Sequence, residues 1–229
     1  MLRRLLADRD RLHTGLMLAL TFSTGVIDAV GYLGLDRVFT GNMTGNVVIL
    51  GMALTGAEDL PIAGPILALV GFMLGALIAG RVLRKQPVGW SGRTTILLAV
   101  VGVVLLLAAI PELVVDAPRP DALVLSVTGA LGFAMGMQAG AARQVGVKDV
   151  TTVVVTSTLV GLAFDSRFGG NAKQQWFRRL AAVVLIGLGA LTGAFLLHFH
   201  IGWGIALATL VTFVVAILGH LGRPAPAAG

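Results

Sequence analysis

The chain has 229 residues, of which 56% are apolar and only 12% charged, with a mean hydropathy of +0.92. Soluble domains carry about 25% charged residues, so a water-soluble globule is excluded and a polytopic membrane protein fits. The net charge of +6 does not point to nucleic acid, because no zinc-finger spacing, arginine-rich helix or weave of aromatic and basic residues accompanies it. The lack of cysteine removes disulfides and thiolate chemistry.

Taken in chain order, the first residues, MLRRLLADRDRLHTG, mix bases with acids and lead to no small-residue cleavage site. They read as a cytosolic lead-in. Nearly uncharged runs follow at 14–35, 38–57, 60–80, 94–111, 122–142, 150–164, 180–197 and 201–222. A helix needs about 20 residues to cross a bilayer, and six runs qualify. The run 150–164 is short. The run 38–57 is long enough but is interrupted by Gly41, Asn42, Gly45 and Asn46, with helix expected from about Asn46 to Thr55. Both are expected to be re-entrant or broken helices. Trp90, Trp176 and Trp203 fall near span ends and read as interface anchors. The segment 223–229 reads as a flexible tail.

The loops set the topology. With the N-terminus inside and the two short segments returning to the side they left, 15 of the 17 basic residues face the cytoplasm; only Arg37 and Arg119 lie outside. Eight full crossings would move the Arg81–Arg93 and Arg143–Lys148 loops outside, against the positive-inside rule. The expected fold is therefore an all-α polytopic membrane protein with six transmembrane helices and two re-entrant or broken helices. It forms one integral domain over 1–229, in a bacterial inner membrane, with both termini cytoplasmic.

The two halves, 1–115 and 116–229, resemble each other. Thr40–Val47 (TGNMTGNV) aligns with Thr152–Leu159 (TVVVTSTL) at a constant offset, and Gly25 with Asp28 has a looser counterpart in Gly136–Ala139. An odd number of crossings per half would make this a 3+3 inverted repeat. Gly71 and Gly75, Gly132, Gly136 and Gly140, and Gly189 and Gly193 repeat every four residues, the spacing that lets helix backbones approach in lipid. These faces also suit a homo-oligomer.

Asp28 is a carboxylate inside the first apolar run, about 21 Å along the helix from Thr14. An unpaired carboxylate there is costly, so it is a candidate for proton or cation coupling, for a solute contact, or for capping the broken helix. It could also pair with Arg37. Asn42, Thr44 and Asn46 supply amides and hydroxyls, while Gly41, Gly45 and Gly25 are candidates for enabling unusual backbone or close approach. Free N–H groups where that helix begins would suit an anion, and free carbonyls a cation. Thr152, Thr156 and Thr158 are the matching candidates of the second half, with Gln138 in the fifth span. His198 and His200 make only a weak metal pair, so no metal or cofactor is expected. No nucleophile elbow, phosphate loop or HExxH pattern is present, which disfavours an enzyme. The residues point to a secondary transporter or exporter of a small solute; a channel, or a scaffold or sensor without flux, is the alternative.

The stretch GVIDAVGYLGLDRVFTGNMTGNVVILG at 25–51 resembles the signature of the YoaK family of bacterial membrane proteins, grouped as domain of unknown function 1275. The matching positions are Gly25, Asp28 and Ala29, then Phe39, Asn42, Met43, Thr44, Gly45 and Asn46. The stretch GMQAGAARQVGVKDVTTVVVTSTLVGLA at 136–163, with Gln138, Arg143 and its Thr-rich run, is also similar. It departs at Ala139 or Gly140, where relatives carry Asn, and at Ser157, where they carry Gly. The resemblance implies an integral inner-membrane protein and no particular substrate, cofactor or catalytic residue.

Overall fold

The computed structural model describes residues 8–57, 59–115, 118–147, 155–166 and 176–223. Among these, every regular element is a helix: α1 (Arg9–Gly34), α2 (Met43–Ala53), α3 (Ala63–Leu83), α4 (Gly92–Val114), α5 (Asp121–Val145), α6 (Val155–Phe164), α7 (Trp176–Leu197) and α8 (Ile201–Leu221). The six longer helices are long and apolar enough to cross a membrane.

Local chemistry sets the boundaries. Asp8 caps α1 by accepting from the Arg11 amide at 3.3 Å. Ser91 and Thr94 form a reciprocal capping box at the start of α4. Gly146 ends α5 in the left-handed conformation at φ 67°, which a residue without Cβ adopts cheaply. His200 caps α8 by accepting from the Gly202 amide at 3.3 Å, a structural task for that histidine. Several spans outrun the apolar runs. Arg81, Arg143, Arg178 and Arg179 all sit in helical turns beyond those runs, because backbone hydrogen bonding continues past the hydrocarbon edge.

Two clusters of contacts define the two ends of the bundle. At one end, Asp10 of α1 pairs with Arg178 of α7, and Leu12 packs beside Gly222 after α8. Gln144 of α5 donates to the carbonyls of Gln86 and Pro87 at 3.0 and 2.9 Å, and Arg93 of α4 reaches the Val82 carbonyl of α3 at 3.0 Å. Trp90 stacks on His13 and fills the space at Gly219, joining the α3–α4 loop to α1 and α8. At the other end, Arg119 bonds the Gly34 carbonyl at 2.9 Å and pairs with Glu112, while Leu113 lies against Gly202.

The short segments do not add crossings. The Val38 amide donates to the Gly31 carbonyl at 3.3 Å, and its side chain fills the space beside Gly64. The end of α1 and the start of α3 thus lie together, and α2 returns to the end it left. Its 11 residues would reach about 16 Å, against a hydrocarbon core of about 30 Å. The end of α5 and the start of α7 likewise share the opposite end.

Glycine stripes make the closest helix contacts. A Cβ at Gly75 would strike the Phe133 carbonyl, and one at Gly136 the Phe72 carbonyl, across α3–α5. A Cβ at Gly25 would strike the Ile186 carbonyl, and one at Gly189 the Phe22 carbonyl, across α1–α7. The pattern of neighbours is preserved when the halves are exchanged: α3–α5 answers α7–α1, α1–α8 answers α5–α4, and α2–α3 answers α6–α7. Large apolar side chains such as Met73 (70% exposed) and Leu191 (67% exposed) point away from this core, as a hydrocarbon solvent allows. Trp90 departs from the interface-anchor expectation: it is buried, with Nε1 donating to Thr95 Oγ1 at 2.9 Å, because the glycine at 219 opens room for its ring inside the protein.

Candidate functional site

The site grows from the turn after α1. Asp36 and Arg37 take positive φ, 60° and 56°, and reverse the chain. Arg37 then bonds the Asp59 carbonyl at 3.1 Å rather than Asp28. The reversal lays residues 38–42 back along α1. There Asp28 Oδ1 accepts from three successive amides, Thr40 (3.1 Å), Gly41 (2.7 Å) and Asn42 (3.3 Å). Consecutive amides converging on one oxygen form an anion nest. The N–H groups ahead of α2 are therefore already taken by the protein's own carboxylate.

Two asparagines complete the turn. Asn42 caps α2 by accepting from the Gly45 amide at 3.2 Å, which starts the helix at Met43 rather than near Asn46. Asn46 is wholly buried and turned toward the loop: its Oδ1 accepts from the Phe39 amide at 2.9 Å and its Nδ2 donates to the Phe39 carbonyl at 2.6 Å. One side-chain amide thus satisfies both backbone groups of a residue with no helix or sheet to do so. Gly41 and Gly45 do not take positive φ. Their role is close approach: a Cβ at Gly41 would press on Thr24 and Asp28, and one at Gly45 on the Phe39 ring.

Beside this turn lies a cavity of about 470 Å³. Thr24, Asp28 and Tyr32, four residues apart on one face of α1, form one wall. Asn42, Thr44 and Gly45 form a second, with Val48 and Ile49 further along α2. Val155 and Thr156, in the first described turn of α6, and Ile186 of α7 close it. The beginnings of the two short helices therefore reach the same cavity. Tyr32 and Phe39 stack with ring centroids 4.9 Å apart. Asp28 Oδ2 meets no donor, and no basic side chain lines the cavity, among the described residues.

Of the other sequence candidates, Gln138 is buried one bond behind the wall, with Nε2 donating to Thr24 Oγ1 at 3.1 Å across α1–α5. Its Oε1 has no partner among the described residues. Thr158 is buried on α6 and is not a lining residue. Gly25 lies at the α1–α7 contact. Thr152 lies outside the described residues.

Residues 16–218 match the family model described as Protein of unknown function (DUF1275). The chain belongs to this family. It is also similar to the UPF0700 transmembrane protein YoaK of Bacillus subtilis (strain 168), with 30% identity over 184 residues that cover 77% of this chain and 80% of that protein. No solved structure matches. The DUF1275 family is thus one of multi-pass membrane proteins, and in this member the signature-like residues Asp28, Phe39, Asn42, Thr44 and Gly45 line the cavity. Thr24 and Tyr32 were not singled out from sequence, although their four-residue spacing from Asp28 was the signal that could have found them. The buried Glu112–Arg119 pair at the far end of α4 was missed too, because Glu112 sits where the apolar run ends and reads as a loop acid.

Proposed function

We propose that the protein is a secondary transporter or exporter of a small solute, which binds in the Asp28 cavity between the short helices. The observation that carries this reading is a carboxylate-bearing cavity, open on one side, that the starts of α2 and α6 form with α1 and α7 in a bundle with six helices long and apolar enough to cross a membrane. Discontinuous helices that begin within the membrane are the usual construction of such sites. One oxygen of Asp28, which lines the cavity, is spent on the nest, and the other has no donor among the described residues.

The exchange pattern of helix neighbours supports two inverted halves that rock about the cavity. The basic residues gathered at the end that holds the starts of α1, α4 and α7 support a cytoplasmic location for both termini, in a bacterial inner membrane.

The test uses the native lack of cysteine. Single cysteines at Thr44 and Thr156 are labelled with a membrane-impermeant thiol reagent from each side of oriented vesicles. Access from both sides, with solute shifting the balance, is the expected result. Access from neither side removes the transport reading.

A further inference from the structure

We propose that the Asp28 cavity selects an organic ammonium ion, an alkylated amine without a carboxylate of its own. This rests on the transport reading and names its substrate class. The first ground is charge. Asp28 lines the cavity, and its Oδ2 has neither a donor nor a cation beside it among the described residues. The three successive amides ahead of α2, which would otherwise welcome an anion, are consumed by Oδ1. Among the described lining residues an anionic solute would meet a carboxylate and no base, and a zwitterion would find no base for its own carboxylate.

The second ground separates an organic cation from an inorganic one. Hard metal ions replace their water with a shell of about six oxygens or more. Among the described residues, the lining side chains whose oxygens are not engaged elsewhere are Asp28, Tyr32, Thr44 and Thr156, fewer than such a shell needs. Thr24 Oγ1 is already engaged with the Leu20 carbonyl and Gln138, and the Asn42 oxygen with its cap. The space, about 470 Å³, is that of a small-molecule pocket and far exceeds a bare ion. Val48, Ile49 and Ile186 supply apolar wall for alkyl carbons.

The third ground is aromatic. Tyr32, the chain's single tyrosine, is 40% exposed and stands one helical turn from Asp28. Phe39 backs it, held in turn by the bare backbone of Gly45. A carboxylate beside a braced aromatic ring is the chemistry that holds an alkylammonium by charge and cation–π attraction.

The experiment titrates the full chain in lipid nanodiscs by calorimetry with tetramethylammonium, butylammonium, sodium and butyrate. The two ammonium ions bind and butyrate does not. Asp28→Asn, which keeps an acceptor for the three amides but loses the charge, weakens ammonium binding by about thirtyfold or more. Tyr32→Leu weakens it about fivefold. Val48→Trp, which leaves the nest intact and fills the cavity, abolishes it and guards against a folding defect in the first variant. Butyrate binding in place of ammonium, or ammonium binding that survives both Asp28→Asn and Val48→Trp, overturns the proposal. Tetramethylammonium flux into proteoliposomes separates the two claims. Binding without flux leaves the ligand class standing and removes transport. Flux of a neutral or anionic solute that Val48→Trp blocks keeps the transport site and removes the ammonium.

Discussion

Asp28 and Asn46 divide the work of one turn. Asp28 gathers the amides of residues 40–42, and Asn46 holds both backbone groups of Phe39. Neither task is visible from residue type, because it depends on where the Asp36–Arg37 reversal returns the chain. Asn46→Ala strands a buried amide and carbonyl and is expected to destabilise the protein by about 1–3 kcal/mol, read as a lower midpoint of thermal unfolding in detergent, with no effect on the net charge of the cavity. Glu112 is a second buried acid, fully enclosed and paired with Arg119. Arg119→Ala leaves that carboxylate alone and should cost about 3–5 kcal/mol. The double variant with Glu112→Gln should recover most of the loss in the same melting experiment, since the uncompensated charge is then gone.

The elements are held by backbone against backbone. Hydrophobic burial drives little helix association when the solvent is itself hydrocarbon, so small residues that permit close contact decide which helices pair. The four-residue glycine spacing made the stripes on α3, α5 and α7 legible in the sequence. Their partners were not, because a stripe does not say which helix it meets. Gly25→Val or Gly136→Val drives a side chain into the carbonyl of Ile186 or Phe72 and is expected to abolish the monodisperse peak in size-exclusion chromatography. Gly51→Ala and Gly187→Ala meet nothing within 4 Å and should be neutral or stabilising by up to about 1 kcal/mol, since both sit inside helices.

At the scale of the whole molecule, the number of crossings follows from α2 and α6 returning to the ends they left. A cysteine at Asp59 should therefore label from the outside and one at Arg84 from the cytoplasm. Labelling of both from the same side would mean that α3 does not cross. The same arrangement brings the starts of α2 and α6 to one cavity, although their sequences are more than a hundred residues apart.

Composition, run length and the sidedness of basic residues determined by themselves that this is an all-helical membrane protein with six spans and two partial helices. These properties reflect the transfer of each segment between water and lipid, which depends on the segment alone. The lone carboxylate in the first run and the Gly–Asn turn after it were legible for the same reason: polar groups in an apolar run carry a cost that demands a purpose. Tertiary structure alone decided what that purpose looks like. Oδ1 of Asp28 serves the nest while Oδ2 has no donor among the described residues, Asn46 serves the loop, Trp90 turns inward, and Tyr32 joins the site. Each of these depends on the position of a partner distant in sequence, and hydrogen-bond satisfaction and close packing are properties of pairs that no single segment contains.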